Sequence, residues 1–239
     1  LWSGKEHETR LRYYPRIRHR ESATVENRNL KGLNEMTTTS SVLTINQPHI
    51  PDFTNPLGLL VHCHERIEAQ LSALERAGEI LRAGDTQSLP RVFAAIDGAC
   101  AHFAIPGVKH TEDEEVSLFP RLRERGGTAR DALAAMTELE SQHRRGEQLH
   151  AEIDELVGIL PRDGSADAKE LDRFNELVAE LTTLYRPHIL LENNFVFPIA
   201  AEVLPASEIQ ALGEEMRARR KDILQKLETS RSAQSGRMV

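Results

Sequence analysis

The stretch KHTEDEEVSLFP, residues 109–120, places Glu114 four residues after His110 and closes on Phe119 and Pro120. A second stretch, PHILLENNFVFP, residues 187–198, repeats the arrangement, with His188, Glu192, Phe197 and Pro198 at the same offsets. Residues four apart on a helix share a face. Each stretch therefore turns one imidazole and one carboxylate toward the stripe that a packed helix would keep apolar, so one device is used twice.

Working outward, the surrounding sequence reads as helices. Asn55-Pro56 supplies an N-cap and a first-turn proline. From there Leu57, Leu60, His64, Ile67, Leu71, Leu74, Gly78 and Leu81 alternate spacings of three and four, the seam of a bundle helix. His64 lies on that seam, while His62 and Cys63 are turned about 100–200° away from it. A second helix is predicted from about 90 to 125, with Phe93, Ile96, Cys100, Phe103, His110 and Glu114 on one stripe, interrupted near Pro106-Gly107 and stopped by Gly126-Gly127. A third runs from about 129 to 160 along Met136, Leu139, His143, Gly146, His150, Ile153, Val157 and Leu160. After PRDGSAD, a fourth carries Leu171, Phe174, Val178, Leu181, Tyr185, His188, Glu192 and Phe195, and a short fifth helix after Pro205 frays into a polar tail.

Four long amphipathic helices with short connections predict an all-α, up-down-up-down four-helix bundle over residues 55–204, with 205–239 as short helix and tail. His64 precedes His143 by 79 residues and His110 precedes His188 by 78, so the first hairpin repeats in the second and both ionisable pairs meet at the centre.

Composition agrees with this and excludes other classes. Only 5% of the 239 residues are aromatic, and the abundance of Leu, Ala, Glu and Arg favours helix over a β-sandwich. The formal net charge of -7 argues against a general nucleic-acid binder. Two cysteines, Cys63 and Cys100, are too few for a disulfide framework, and no apolar run reaches membrane-spanning length. The expected setting is a reducing cytoplasm with no membrane or nucleic-acid partner. Residues 1–36 hold eight Lys/Arg against five Asp/Glu and lack a sustained apolar period. Residues 1–54 are expected to form a disordered arm, with Met36 as a possible original start.

The chemistry lies in the group of seam residues. His110 with Glu114, His188 with Glu192, His143 with Glu147, and His64 with Glu68 beside it bring four imidazoles and up to four carboxylates into one core. A single seam histidine is ordinarily a hydrogen-bonded core residue. A whole layer is different, because burying unpaired ionised groups costs several kcal/mol each against a domain stability of about 5–15 kcal/mol. Mutual His–Glu pairing offsets part of that cost. Metal is the better account, and mixed nitrogen and oxygen donors suit iron or manganese better than a structural zinc.

These residues resemble the haemerythrin-like HHE cation-binding domains over roughly residues 55–204, the two repeated segments being the most specific part. The resemblance implies a non-haem di-iron centre. Its metal ligands would be His64, His110, Glu114, His143, Glu147, His188 and Glu192, with Glu114 and Glu192 bridging two iron ions. Oxygen-carrying haemerythrins have two third-helix histidines spaced by four, whereas this chain has Glu147 at the second position. A carboxylate there favours the ferric state and turns the expectation from storage to redox handling or sensing of O2, NO or peroxide. A peroxidase- or catalase-like di-iron oxidoreductase is the alternative, and a metal-stapled structural or iron-responsive module is another. His150, about 10 Å beyond His143 along the axis, is expected behind the ligands together with Glu68 and Tyr185.

Overall fold

The structure is a computed structural model that describes residues 52–223 and residue 225. The expectation of a disordered arm falls, apart from residues 52–54, outside the described residues, as does most of the tail.

The Asn55 side chain accepts from the Gly58 amide and Pro56 opens helix α1, Pro56–Arg82. A turn at Thr86–Ser88, capped by Asp85, leads into the second long rod. That rod is α2 (Leu89–His102), a π-helical turn Phe103–Gly107, α3 (Val108–Glu112), a second π-helical turn Asp113–Leu118 and α4 (Phe119–Arg125). Gly126, at φ 56°, breaks it. The third rod is α5, Arg130–Ile159. The fourth starts at a capping box of Asp167 and Glu170 and comprises α6 (Ala168–Leu191), a π-helical turn Glu192–Val196 and α7 (Phe197–Val203). Helix α8, Ala206–Arg219, follows Pro205.

The apolar core is divided in two. One cluster contains Ile67, Leu71, Phe93, Phe103, Leu149, Ile153, Phe174 and Tyr185, and the other contains Leu60, Leu118, Phe119, Met136, Leu139, Val196 and Phe197. Each rod runs from one cluster to the other, in alternating sense: α1 from Leu60 to Ile67, the second rod from Phe103 to Leu118, α5 from Leu139 to Leu149, the fourth from Tyr185 to Val196. This is the predicted antiparallel bundle. In every rod the residues between the two clusters include a buried histidine, so a polar layer lies between two apolar plugs.

One predicted feature shifts. Phe195, expected on the inner stripe, is 38% exposed, while Val196 and Phe197 are buried. The π-helical turn inserts one residue and rotates the stripe by about 100°. The predicted fifth helix is present over 206–219 and is docked: its Leu212 and Met216 are fully buried in the second cluster.

Candidate metal centre

Pro120 and Pro198 have no amide hydrogen for the carbonyl four residues back, which loosens the α-helical ladder just before them. The wider π-type pattern takes over in both rods. Phe119 N–H donates to the Glu114 carbonyl and Phe197 N–H to the Glu192 carbonyl, each five residues back. The repeated Phe-Pro thus sets a π-helical turn at each inward carboxylate, a local form often found at functional sites.

His64, His110, Glu114, His143, His188 and Glu192 are all buried and meet in the polar layer. Glu114 faces both ways: its Oε1 lies 3.4 Å from His110 Nε2 and 3.8 Å from His64 Nε2, while its Oε2 lies 3.4 Å from His143 Nε2. Glu192 Oε2 is 3.2 Å from His64 Nε2 and 3.1 Å from His188 Nε2. Despite these distances, His64 Nε2 and all four carboxylate oxygens have no hydrogen-bond partner among the described residues. The donors converge on common points instead of pairing in line. Two groups of side chains are able to hold a cation, His64–His110–Glu114–Glu192 and His143–His188–Glu192, and they share Glu192.

The imidazoles are oriented from behind by residues the sequence reading missed. His143 Nδ1 lies 2.8 Å from Glu115 Oε1, His188 Nδ1 2.9 Å from Gln142 Oε1, and His64 Nδ1 2.7 Å from Asn193 Oδ1. A carboxylate only accepts, so the His143 Nδ1–H donates to Glu115, leaving Nε2 as a lone pair when the ring is neutral. His143 Nε2 and His188 Nε2 stand 3.1 Å apart, a hydrogen bond when one ring is protonated and, when both are neutral, two lone pairs that a shared cation would stabilise. Each orienting residue sits one position from an inward residue and reaches a histidine on another rod, and that adjacency is the signal that could have found them. His110 differs, since its Nδ1 is buried without a partner.

Without metal the two carboxylates are driven apart. Burial, then the charge of Glu192, pushes the Glu114 carboxyl well above its usual range. Burial acts on Glu192 too, but the neighbouring His188 and His64 overcome it and hold Glu192 low. Burial and the His64 charge keep His110 neutral.

Three expected residues lie elsewhere. Glu147 is exposed and belongs to neither group, because the α5 position facing the fourth rod is Gly146, where an added Cβ would stand 2.5 Å from Tyr185 Oη. Glu68 is half-buried and pairs with Arg186 at 2.9 Å. His150 stacks on Phe103, ring centroids 4.2 Å apart, lies 5.6 Å from the Tyr185 ring, and belongs to neither donor group. Tyr185 does reach the centre, its ring set edge-on to His188 at 5.9 Å.

The sequence pattern of the Hemerythrin HHE cation binding domain matches residues 55–200, well over half of the chain. The chain belongs to this family. No curated protein matches it as a relative. The donors fit a haemerythrin-type metal: atoms about 2.1 Å from one cation stand roughly 3.0–3.4 Å apart, close to most of the 3.1–3.8 Å separations between the carboxylate oxygens and imidazole nitrogens. Unpartnered buried oxygens are the expected mark of a binding position. Among the described residues no helix is long and apolar enough to cross a membrane.

Proposed function

We propose that this haemerythrin-like protein holds two iron ions and binds a small ligand, O2, NO or peroxide, for redox handling or sensing. The observation that carries this reading is the pair of donor groups sharing Glu192, with Glu114 presenting one oxygen toward each. His64 and His110 would hold the first iron and His143 and His188 the second, with Glu114 and Glu192 available to both. Bound iron supplies an attachment point for the ligand and an electron to exchange with it.

The chain supplies orientation and exclusion. Glu115, Gln142 and Asn193 fix three imidazoles with Nε2 inward. A cavity of about 10 Å³ lined by His64, His110, His143, His188, Phe103 and Tyr185 adjoins the donors. That is room for about one water-sized body among the donors themselves, so with cations held there only a ligand of a few atoms would fit beside them. Glu147 has no part in this reading. Iron content should therefore stay near two per chain in Glu147→Ala and fall by about one in His143→Ala, measured by metal analysis after iron loading. Loss of iron in Glu147→Ala would restore the third-helix carboxylate as a ligand, and stoichiometric zinc in place of iron in the unchanged protein would sink the reading.

One observation favours a catalytic, peroxide-consuming version. Tyr185 is buried, lines the small cavity, and is kept protonated by burial and by the charges of Glu114 and Glu147. Its phenol is placed to donate a hydrogen bond or proton to a ligand beside His188. Tyr185→Phe should leave iron content unchanged and slow peroxide consumption about 10-fold or more. An unchanged rate would return the protein to simple binding or sensing.

A further inference from the structure

Helix α8 lies outside the family match, which ends at residue 200. Yet its last turn reaches the polar layer. Asp113, adjacent to Glu114 and fully buried, is held by two guanidiniums: Arg219 Nη1 donates to Oδ1 at 2.7 Å and Arg220 Nη2 to Oδ2 at 2.5 Å. Arg219 also donates to the hydroxyl of Ser117, which is likewise fully buried and on the same π-helical turn, and Ser117 in turn donates to Glu215 of α8. Arg121 closes the network, donating to the Ser117 carbonyl and, through Nη2 at 2.7 Å, to Glu215. Behind these contacts Leu212 and Met216 anchor α8 in the apolar core.

We infer that α8 is a strap that positions the bridging carboxylate, with Asp113, Arg219 and Arg220 as positioning residues acting through the backbone of residues 113–118. The physical ground is the looseness of that turn. Its Phe119–Glu114 hydrogen bond spans five residues, so the turn is less constrained from within than α-helix and takes its register from outside contacts. Asp113 and Ser117 are four residues apart and bracket Glu114, and α8 grips both. A buried carboxylate requires compensation, and here it comes only from Arg219 and Arg220 among the described residues. The first rod's ligand geometry is thus completed by a segment beyond the bundle. Among the described residues the fourth rod has no such clamp on Glu192: its counterpart of Asp113 is Leu191, which is apolar.

This inference rests on the proposed metal centre, and the test separates the two. Co2+ serves as the probe in the full chain, with affinity from chelator competition and ligand geometry from visible absorption. Arg219→Ala/Arg220→Ala should weaken Co2+ binding by about 10- to 100-fold and alter the spectrum. Arg125→Ala, which removes the α8 ion pair to Glu208 at a distance from Asp113, should leave both within about 2-fold of the unchanged chain. Should the double alanine variant fail to fold by circular dichroism, Arg219→Lys/Arg220→Lys and Asp113→Asn read the same effect. Each of these should weaken Co2+ binding with altered absorption while the helical signal is kept. Unchanged affinity and spectrum in the folded variants would overturn the strap alone. Absence of Co2+ and iron binding by the unchanged chain would overturn the metal centre and the strap with it.

Discussion

Glu192→Gln is expected to empty both cation positions at once, lowering affinity at each by more than about 100-fold, because Glu192 belongs to both donor groups. His110→Ala, by contrast, removes a donor from the first group only. Iron counting by metal analysis would then give near zero for Glu192→Gln and about one for His110→Ala. The stability of the metal-free protein should change little. Burial penalises the Glu192 carboxylate, but His188 and His64 overcome that penalty and hold it ionised, so the metal-free Glu192→Gln protein should melt at or slightly below the metal-free parent as these histidines lose an ionic partner. A variant that kept one iron would show that Glu192 serves a single site. A metal-free variant that melted far lower would show that His–Glu pairing, rather than metal, is what the layer was built for.

That contrast shows what the sequence makes legible. The seam residues of each rod follow from spacing alone, since three-and-four alternation requires an inward stripe, and His64, His110, His143 and His188 fall on it and are buried. The paired carboxylates are legible for the same reason. What spacing misreads begins at the π-helical turns. Phe195 was assigned by an α-helical count carried through Glu192–Val196, where the helix gains a residue. The Phe-Pro in both repeats was visible, but its consequence is a five-residue hydrogen bond rather than a break.

Glu147 exposes a second limit. Four residues after His143 is a ligand position only if the rod faces the centre squarely there, and in α5 it is Gly146 that comes up against Tyr185. Gly146 stands on the predicted seam, and Glu147 is put forward only as the position four after His143, where the resemblance has a second histidine. Glu115, Gln142 and Asn193 were hidden for a related reason: each points across to another rod's histidine, and cross-rod pairings are not encoded in any one helix's period. Asp113 with Arg219 and Arg220 spans more than a hundred residues of sequence and becomes visible only once α8 is docked.

His150 carries the last expectation, an acid weakness separate from the metal layer. Burial, together with the nearby His102, lowers its pKa to about 4, and its Nε2 is buried without a hydrogen-bond partner. The unfolded chain takes up this proton near pH 6.5, whereas the folded chain takes it up only near pH 4. Between those values the unfolded state binds more protons, so stability falls as pH falls. The neutral ring's advantage is fully present above about pH 6.5 and lost by about pH 4, up to roughly 3 kcal/mol from this one group. Urea unfolding of the metal-free protein at a series of pH values should show that decline. His150→Phe keeps an aromatic ring against Phe103 and borders a cavity of about 250 Å³ that gives the larger ring room. It should flatten the slope between pH 6.5 and 4, leaving the share due to His102, whose pKa burial also lowers to about 4. Glu147 and Asp154 line the same cavity. If their charges admit a proton to His150 early, the parent and His150→Phe curves will run parallel, and the buried neutral imidazole will not be the source of the acid sensitivity.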